Sequence, residues 1–159
     1  LFVNTGYNLR ATELQGGFGY VQLPKLTAFV KTRTDNATYW RRELGELDEF
    51  FDYQMETLGG RHSWFGFPMA VKEHAPFKVG NLCAFLNARG IETRPIVAGN
   101  IATQPAMRYY QHRVVGDLEH TNNVMKNGFT FGNHQDVDEL AREYITGVIK
   151  EFAAERGLI

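Results

Sequence analysis

Three short stretches of this chain carry polar side chains where neither a core nor a solvated helix face needs them: GYNLR (Gly6 to Arg10), TRPIVAGN (Thr93 to Asn100) and GNHQD (Gly132 to Asp136). Each sets Gly or Pro beside Asn, Arg or His at the end of a regular element, where rigid scaffolds commonly assemble sites from loops. In the first, Asn8 offers an amide, and a turn leading into a helix offers backbone N–H groups, which together suit a phosphate. The same residues also serve ordinary turn chemistry. Arg94, beside Pro95, carries a guanidinium able to grip a phosphate or carboxylate bidentately, or to form a surface ion pair. His134, next to Asn133, has the chemistry of an acid, a base or a hydrogen-bonding group; a structural residue ahead of a helix is the alternative.

Other chemistries find little support. His62, His74, His112, His120 and His134 show neither HExxH nor paired Cys/His spacing, so no metal site is expected. The GGFG cluster (Gly16 to Gly19) lacks the Gly-Lys-Ser/Thr of a phosphate-binding loop, and close helix packing accounts for it better. Ser63, the only serine, falls in a strand pattern, and Cys83 has no histidine nearby in sequence, so neither reads as a nucleophile.

With 17 basic against 18 acidic residues, the formal charge is −1, and no basic block is long enough to track a phosphate backbone. Nucleic acid is therefore not an expected partner. No stretch reaches the roughly 18 apolar residues of a membrane span, and the N-terminus lacks a signal-peptide layout. A single cysteine cannot form an intramolecular disulfide, which suits a reducing, cytoplasmic setting. At 159 residues, 13% of them aromatic, the chain is expected to build one compact core. Its start at Leu1, without Met and already apolar, reads as cut from a longer polypeptide.

Regular elements must position these residues. Thr12 followed by Gln15 is a capping-box signature for a helix carrying Leu14, Phe18 and Val21. Gly16, Gly17 and Gly19 each weaken that helix by about 1 kcal/mol relative to Ala, so a compensating close contact is expected. Pro24 either kinks the helix or restarts it, and the pattern resumes through Leu44. Asp52 to Arg61 reads as a loop and His62 to Lys72 as a buried strand, with Pro68 pointing to an edge or bulge. Val79, Leu82, Cys83 and Leu86 mark a helix stopped by Gly90. Ile91 to Val97 reads as a strand in which Pro95 suggests an edge or a functional bend, Leu118 to Asn127 as a short helix closed by Gly128, and FTFGN as a strand. Asp136 with Glu139 signals the start of a long C-terminal helix carrying Val137, Leu140, Tyr144, Val148 and Phe152. The class is α+β, with a small, mostly antiparallel sheet and long flanking helices; the leading helices read as belonging to a neighbouring part of a larger molecule.

Taken in order, GYNLRATELQGGFGYVQLPKL, SWFGFPMAVKEHAPF, ARGIETRPIVAGNIATQPAM, VVGDLEHTN and NGFTFGNHQD resemble the end of the large domain and the C-terminal domain of the DegT/StrS family. These are fold-type I enzymes that use pyridoxal 5'-phosphate or pyridoxamine 5'-phosphate on nucleotide-linked 4-keto sugars. The resemblance runs from about Gly6 to Phe152. It implies that residues 1–35 close the large domain and connect to a small domain over 36–159. SWFGF and RPIVAGN are more similar to the 4-keto-6-deoxyhexose 3-dehydratases of deoxysugar, O-antigen and lipopolysaccharide biosynthesis than to the sugar aminotransferases. GNHQ resembles the colitose-pathway type, and AGN followed by QPA resembles the iron-sulfur-dependent type.

The resemblance also implies roles. Asn8 matches an asparagine that reaches the cofactor phosphate of the partner subunit in a homodimer, and Arg10 matches a neighbour of that shared site. Arg94, Asn133 and His134 match positions near the nucleotide-sugar substrate. The cofactor lysine of such enzymes, or the histidine replacing it in dehydratases, is expected upstream of GYN, and none of Lys25, Lys31, Lys72, Lys78, Lys126 or Lys150 matches its context. The expectation is therefore a C-terminal portion that is inactive alone. A sugar-nucleotide aminotransferase and a free-standing binding or dimerisation module remain the other readings.

Overall fold

The computed structural model describes residues 7 and 9–159 of the chain; Gly6 and Asn8 lie outside the described residues. Helix α1 (Glu13–Gln22) starts at the expected capping box: the Thr12 side chain accepts from the Gln15 backbone N–H, and the Gln15 side chain accepts from the Thr12 N–H at 2.9 Å. Pro24 restarts the helix, occupying the first turn of a 3-10 segment (Leu23–Lys25) that runs directly into α2 (Leu26–Glu43). No residue of α1 is buried, and a Cβ added at Gly16, Gly17 or Gly19 meets nothing within 4 Å. The close contact expected of these glycines is therefore not made among the described residues. Burial along α2 begins at Asn36 and continues through Ala37 and Trp40.

Four strands follow, β1 (Phe51–Tyr53), β2 (Gly66–Val71), β3 (Thr93–Arg94) and β4 (Gly128–Gly132), in the order β1-β2-β4-β3 with every pairing antiparallel. The stretch expected as a loop from Asp52 thus opens within β1, because Phe51 has Val71 as a ladder partner. Pro68 is not on an edge strand. It faces Thr130 on β4, while β1 pairs only with Met69, Ala70 and Val71, so Pro68 sits beyond the end of β1 where a missing N–H breaks no ladder bond. The strand expected from Ile91 to Val97 keeps only two residues, ending where Pro95 removes a donor.

Helix α3 (Val79–Ala88) ends ahead of Gly90, which takes φ +79, and α4 (Glu119–Asn127) leads straight into β4. The last helix, α5 (Glu139–Ala154), is capped by Asp138, whose carboxylate accepts from the Ala141 N–H at 2.8 Å. The expected Asp136–Glu139 arrangement is displaced because the Val137 N–H bonds the His134 carbonyl, folding that segment into a turn first. Leu140 and Tyr144, expected on the buried face of α5, are 76% and 52% exposed; the buried face begins at Ile145.

Strand alternation sorts the sheet into two faces. Phe67, Met69, Val71, Phe129 and Phe131 point to one side, where α2, α3 and α5 bring Trp40, Leu82, Leu86, Ile149 and Phe152 into a single core. Trp40 is fully buried there, with Phe131 edge-on at 5.0 Å and its indole N–H donating to the Arg142 carbonyl at 3.1 Å. Pro68 and Thr130 point to the opposite face, where both stay only partly buried.

Candidate functional site

That opposite face forms the floor of a cleft of about 550 Å³, within the size range of small-molecule sites. Arg94 pairs with Thr130 across the β3–β4 ladder, so its side chain shares the Thr130 face. Pro95 to Val97 form one wall, Gly132 to His134 another, Arg33 enters from α2, and His62 and Phe65 come from the loop before β2. The fold thus brings Arg94, Asn133 and His134 together from two separate motifs.

Two guanidiniums, of Arg33 and Arg94, and two imidazoles, of His62 and His134, border the cleft, and no Asp or Glu does among the described residues. Glu92 pairs with the Arg94 guanidinium from outside the cleft, and both side chains are largely exposed, so the pair is readily exchanged for an anionic ligand. Arg33 donates from Nη2 to the Gln135 side chain at 3.2 Å, while its buried Nε has no protein partner among the described residues. Two guanidiniums with no carboxylate beside them on the lining are groups able to pair with phosphate oxygens.

Asn133 lines the cleft with its amide turned into the protein. It is 1% exposed, its Nδ2 donates to the Arg33 carbonyl at 2.8 Å, and its Oδ1 accepts from Asn36 Nδ2 at 3.4 Å. Its amide is committed inside the protein as a strut between β4 and α2. The His134 side chain is exposed, with Nδ1 3.2 Å from the Asp136 carboxylate and 3.3 Å from the Asp136 backbone N–H. A neutral ring accepts from that N–H; a protonated ring donates to the carboxylate. Arg10 is exposed, makes no side-chain hydrogen bond or ion pair among the described residues, and does not border this cleft.

Arg33, His62 and Phe65 were not singled out as binding residues in the sequence. Arg33 lies mid-helix without a motif, and Phe65 reads by alternation as a strand-core residue. Cys83 stays out of the chemistry: it is half-buried, and burial pushes its thiol up from the ordinary range, disfavouring the nucleophilic thiolate.

The family model for the DegT/DnrJ/EryC1/StrS aminotransferases matches residues 2–152. GDP-4-keto-6-deoxy-D-mannose 3-dehydratase of Yersinia pseudotuberculosis is 38% identical over 135 residues, 84% of this chain and 34% of the relative. The enzyme of the same name from Escherichia coli O55:H7 is 36% identical over 152 residues, 94% of this chain and 38% of the relative. A solved structure of E. coli GDP-4-keto-6-deoxy-D-mannose-3-dehydratase with bound hydrated PLP superimposes with a TM-score of 0.82 at 36% identity, covering 93% of this chain and 38% of that one. The chain therefore spans little more than a third of the length of the relatives it matches. Its fold is that of a portion of a fold-type I pyridoxal-phosphate enzyme, and the chain belongs to the DegT/DnrJ/EryC1/StrS aminotransferase family.

Proposed function

We propose that this chain is the C-terminal portion of a pyridoxal- or pyridoxamine-phosphate-dependent enzyme that removes the C3 hydroxyl of a nucleotide-linked 4-keto-6-deoxy sugar. The observation that carries the reading is that Arg94 and Arg33 line one cleft, where the only carboxylate paired with Arg94 among the described residues, Glu92, is largely exposed and comes from outside; two guanidiniums suit the diphosphate of a sugar nucleotide. Arg94 binds the diphosphate, His134 hydrogen-bonds the hexose, and Asn133 holds the Arg33 backbone and the end of β4 in place. The identity to 3-dehydratases across most of the chain favours dehydration over transamination.

The cofactor is an electron sink for the sugar carbon skeleton when bound. The described residues do not enclose such a group; Arg10 fits as one cationic donor at the edge of a phosphate site, with Asn8 beside it in sequence. The cofactor anchor and most of its pocket then belong to a large domain outside this chain, with the boundary to the small domain near residue 35, where burial on α2 begins. A homodimer sharing its active sites supplies the partner subunit that Asn8 and Arg10 serve. No helix among the described residues is long and apolar enough to cross a membrane, and biosynthesis in the cytoplasm fits the single cysteine.

The test is product analysis by mass spectrometry and NMR after incubating the complete enzyme with GDP-4-keto-6-deoxymannose, the cofactor and an amino donor. A sugar that lacks the C3 oxygen is expected. A 4-amino sugar would reassign the protein to transamination, and Arg94-dependent binding without turnover would make it a binding module.

A further inference from the structure

Phe65 stands between the cleft described above and a second one of about 690 Å³, formed by Gly90 to Glu92, the end of β4 and the first turns of α5. It is 80% exposed, although strand alternation would place it with Phe67 and Met69 in the core. Trp64 is the cause: it takes φ +50, a region that bulky residues rarely adopt, and this turn sends the next side chain outward. The turn is held on both sides. The Trp64 N–H donates to His62 Nδ1 at 2.9 Å, the His62 ring meets the indole at 4.7 Å, and the indole stacks on Phe67 at 6.1 Å. Behind Phe65, a Cβ at Gly66 would lie 2.6 Å from Thr130 Oγ1 and 3.2 Å from the Phe131 carbonyl, so β2 begins pressed closely against β4.

Strain held in this way at the mouth of a cleft is a mark of a functional position. Val97 repeats it, with φ +42 and 93% exposure on the wall of the same cleft. The Arg33 guanidinium lies 5.8 Å from the Phe65 ring centre, fixing the ring from one side by cation–π attraction and leaving the rest of its surface open. An exposed flat ring beside a site with two arginines is suited to a ligand that is planar at one end and anionic next to it.

We propose that Phe65 is the stacking platform for the planar base of the nucleotide-linked substrate, presented by the left-handed turn at Trp64. The inference rests on the proposed function and adds to it the part of the substrate that Phe65 reads. Stacking accepts any base because every base has a π face, so Phe65 governs affinity for the nucleotide and not the choice of hexose. Arg94, on the shared wall of the two clefts, takes the adjoining diphosphate.

Calorimetric titration of the complete enzyme with GDP, UDP and inorganic pyrophosphate tests this, using Phe65→Ala, Phe65→Tyr and Arg94→Ala. Because the ring is exposed, these variants should fold. Phe65→Ala should weaken GDP and UDP by about tenfold or more and leave pyrophosphate within about twofold, and Phe65→Tyr should retain the wild-type affinities. Equal losses for pyrophosphate and GDP, or no loss for GDP, overturn the platform. If GDP affinity survives in Phe65→Ala but falls in Arg94→Ala, the platform fails and the proposed function stands. Wild-type enzyme that binds none of the three ligands sinks both.

Discussion

Single residues in this chain divide between those that present chemistry and those that hold them. Asn133 belongs to the second group: its buried amide bridges the Arg33 carbonyl and Asn36. Asn133→Ala removes the bond to the Arg33 carbonyl and the longer one from Asn36, which keeps its bond to the Val137 carbonyl at 2.9 Å, so unfolding in urea should show a loss of about 1 kcal/mol. Tyr53 shows how burial acts on a titratable group. Its hydroxyl donates to the Leu44 carbonyl at 2.9 Å, and burial pushes its pKa up, with Asp48 raising it further and Arg41 opposing. An acid whose folded pKa is raised keeps its proton longer when folded than when unfolded. Its contribution is complete below the unfolded value of roughly 10 and is lost as pH rises above it. Tyr53→Phe should therefore be less stable than wild type at pH 8 by about 1 kcal/mol for the lost hydrogen bond, and the gap should narrow in denaturant melts at pH 11. The half-buried Cys83, with its thiol pushed upward, should react with iodoacetamide at neutral pH more slowly than a free cysteine and faster after unfolding.

At the scale of elements, α1 is the unusual one, with a capping box and three glycines but no buried residue. Gly16→Ala and Gly17→Ala should each stabilise α1 in this chain by up to about 1 kcal/mol, because a Cβ there meets open space; circular dichroism would register added helix. If those same variants lower the activity of the complete enzyme, the glycines serve a surface outside the chain. The α4–β4 junction makes the opposite prediction. A Cβ at Gly128 would collide with the Val124 carbonyl and lie 2.8 Å from Ile96 Cδ1. Gly128→Ala should therefore displace the Pro95–Val97 wall and lower stability, readable by melting, and weaken the GDP binding proposed for the cleft, readable by calorimetry. The capping box at Thr12, the stop at Gly90 and the edge character of β3 were legible because each depends on neighbours in sequence. The start of α5 was not: a competing turn from His134 to Val137 moved the cap from Asp136 to Asp138.

For the whole molecule, one core holds the sheet and the helices α2, α3 and α5 together, while a row of apolar side chains on α1 and its extension remains exposed: Leu14, Phe18, Val21 and Leu23. The chain alone is expected to fold around Trp40 and to show no turnover of a 4-keto sugar nucleotide, by product analysis with cofactor supplied. Turnover by the chain alone would overturn the reading that it supplies only part of an active site.

The sequence by itself determined the α+β class, the antiparallel sheet, most helix limits and the family, because capping, alternation and ordered motifs are local or linear properties. It also marked Arg94 and His134 as candidates from the company they keep. Only the tertiary structure decided that both border one cleft with Arg33, that Pro68 tolerates a central strand, that the Asn133 amide is spent internally, and that Phe65 points outward. Those outcomes depend on which strand ends first, which carbonyl comes within reach of an amide, and how a single left-handed residue reverses a side chain. All three are set by contacts between segments far apart in the chain.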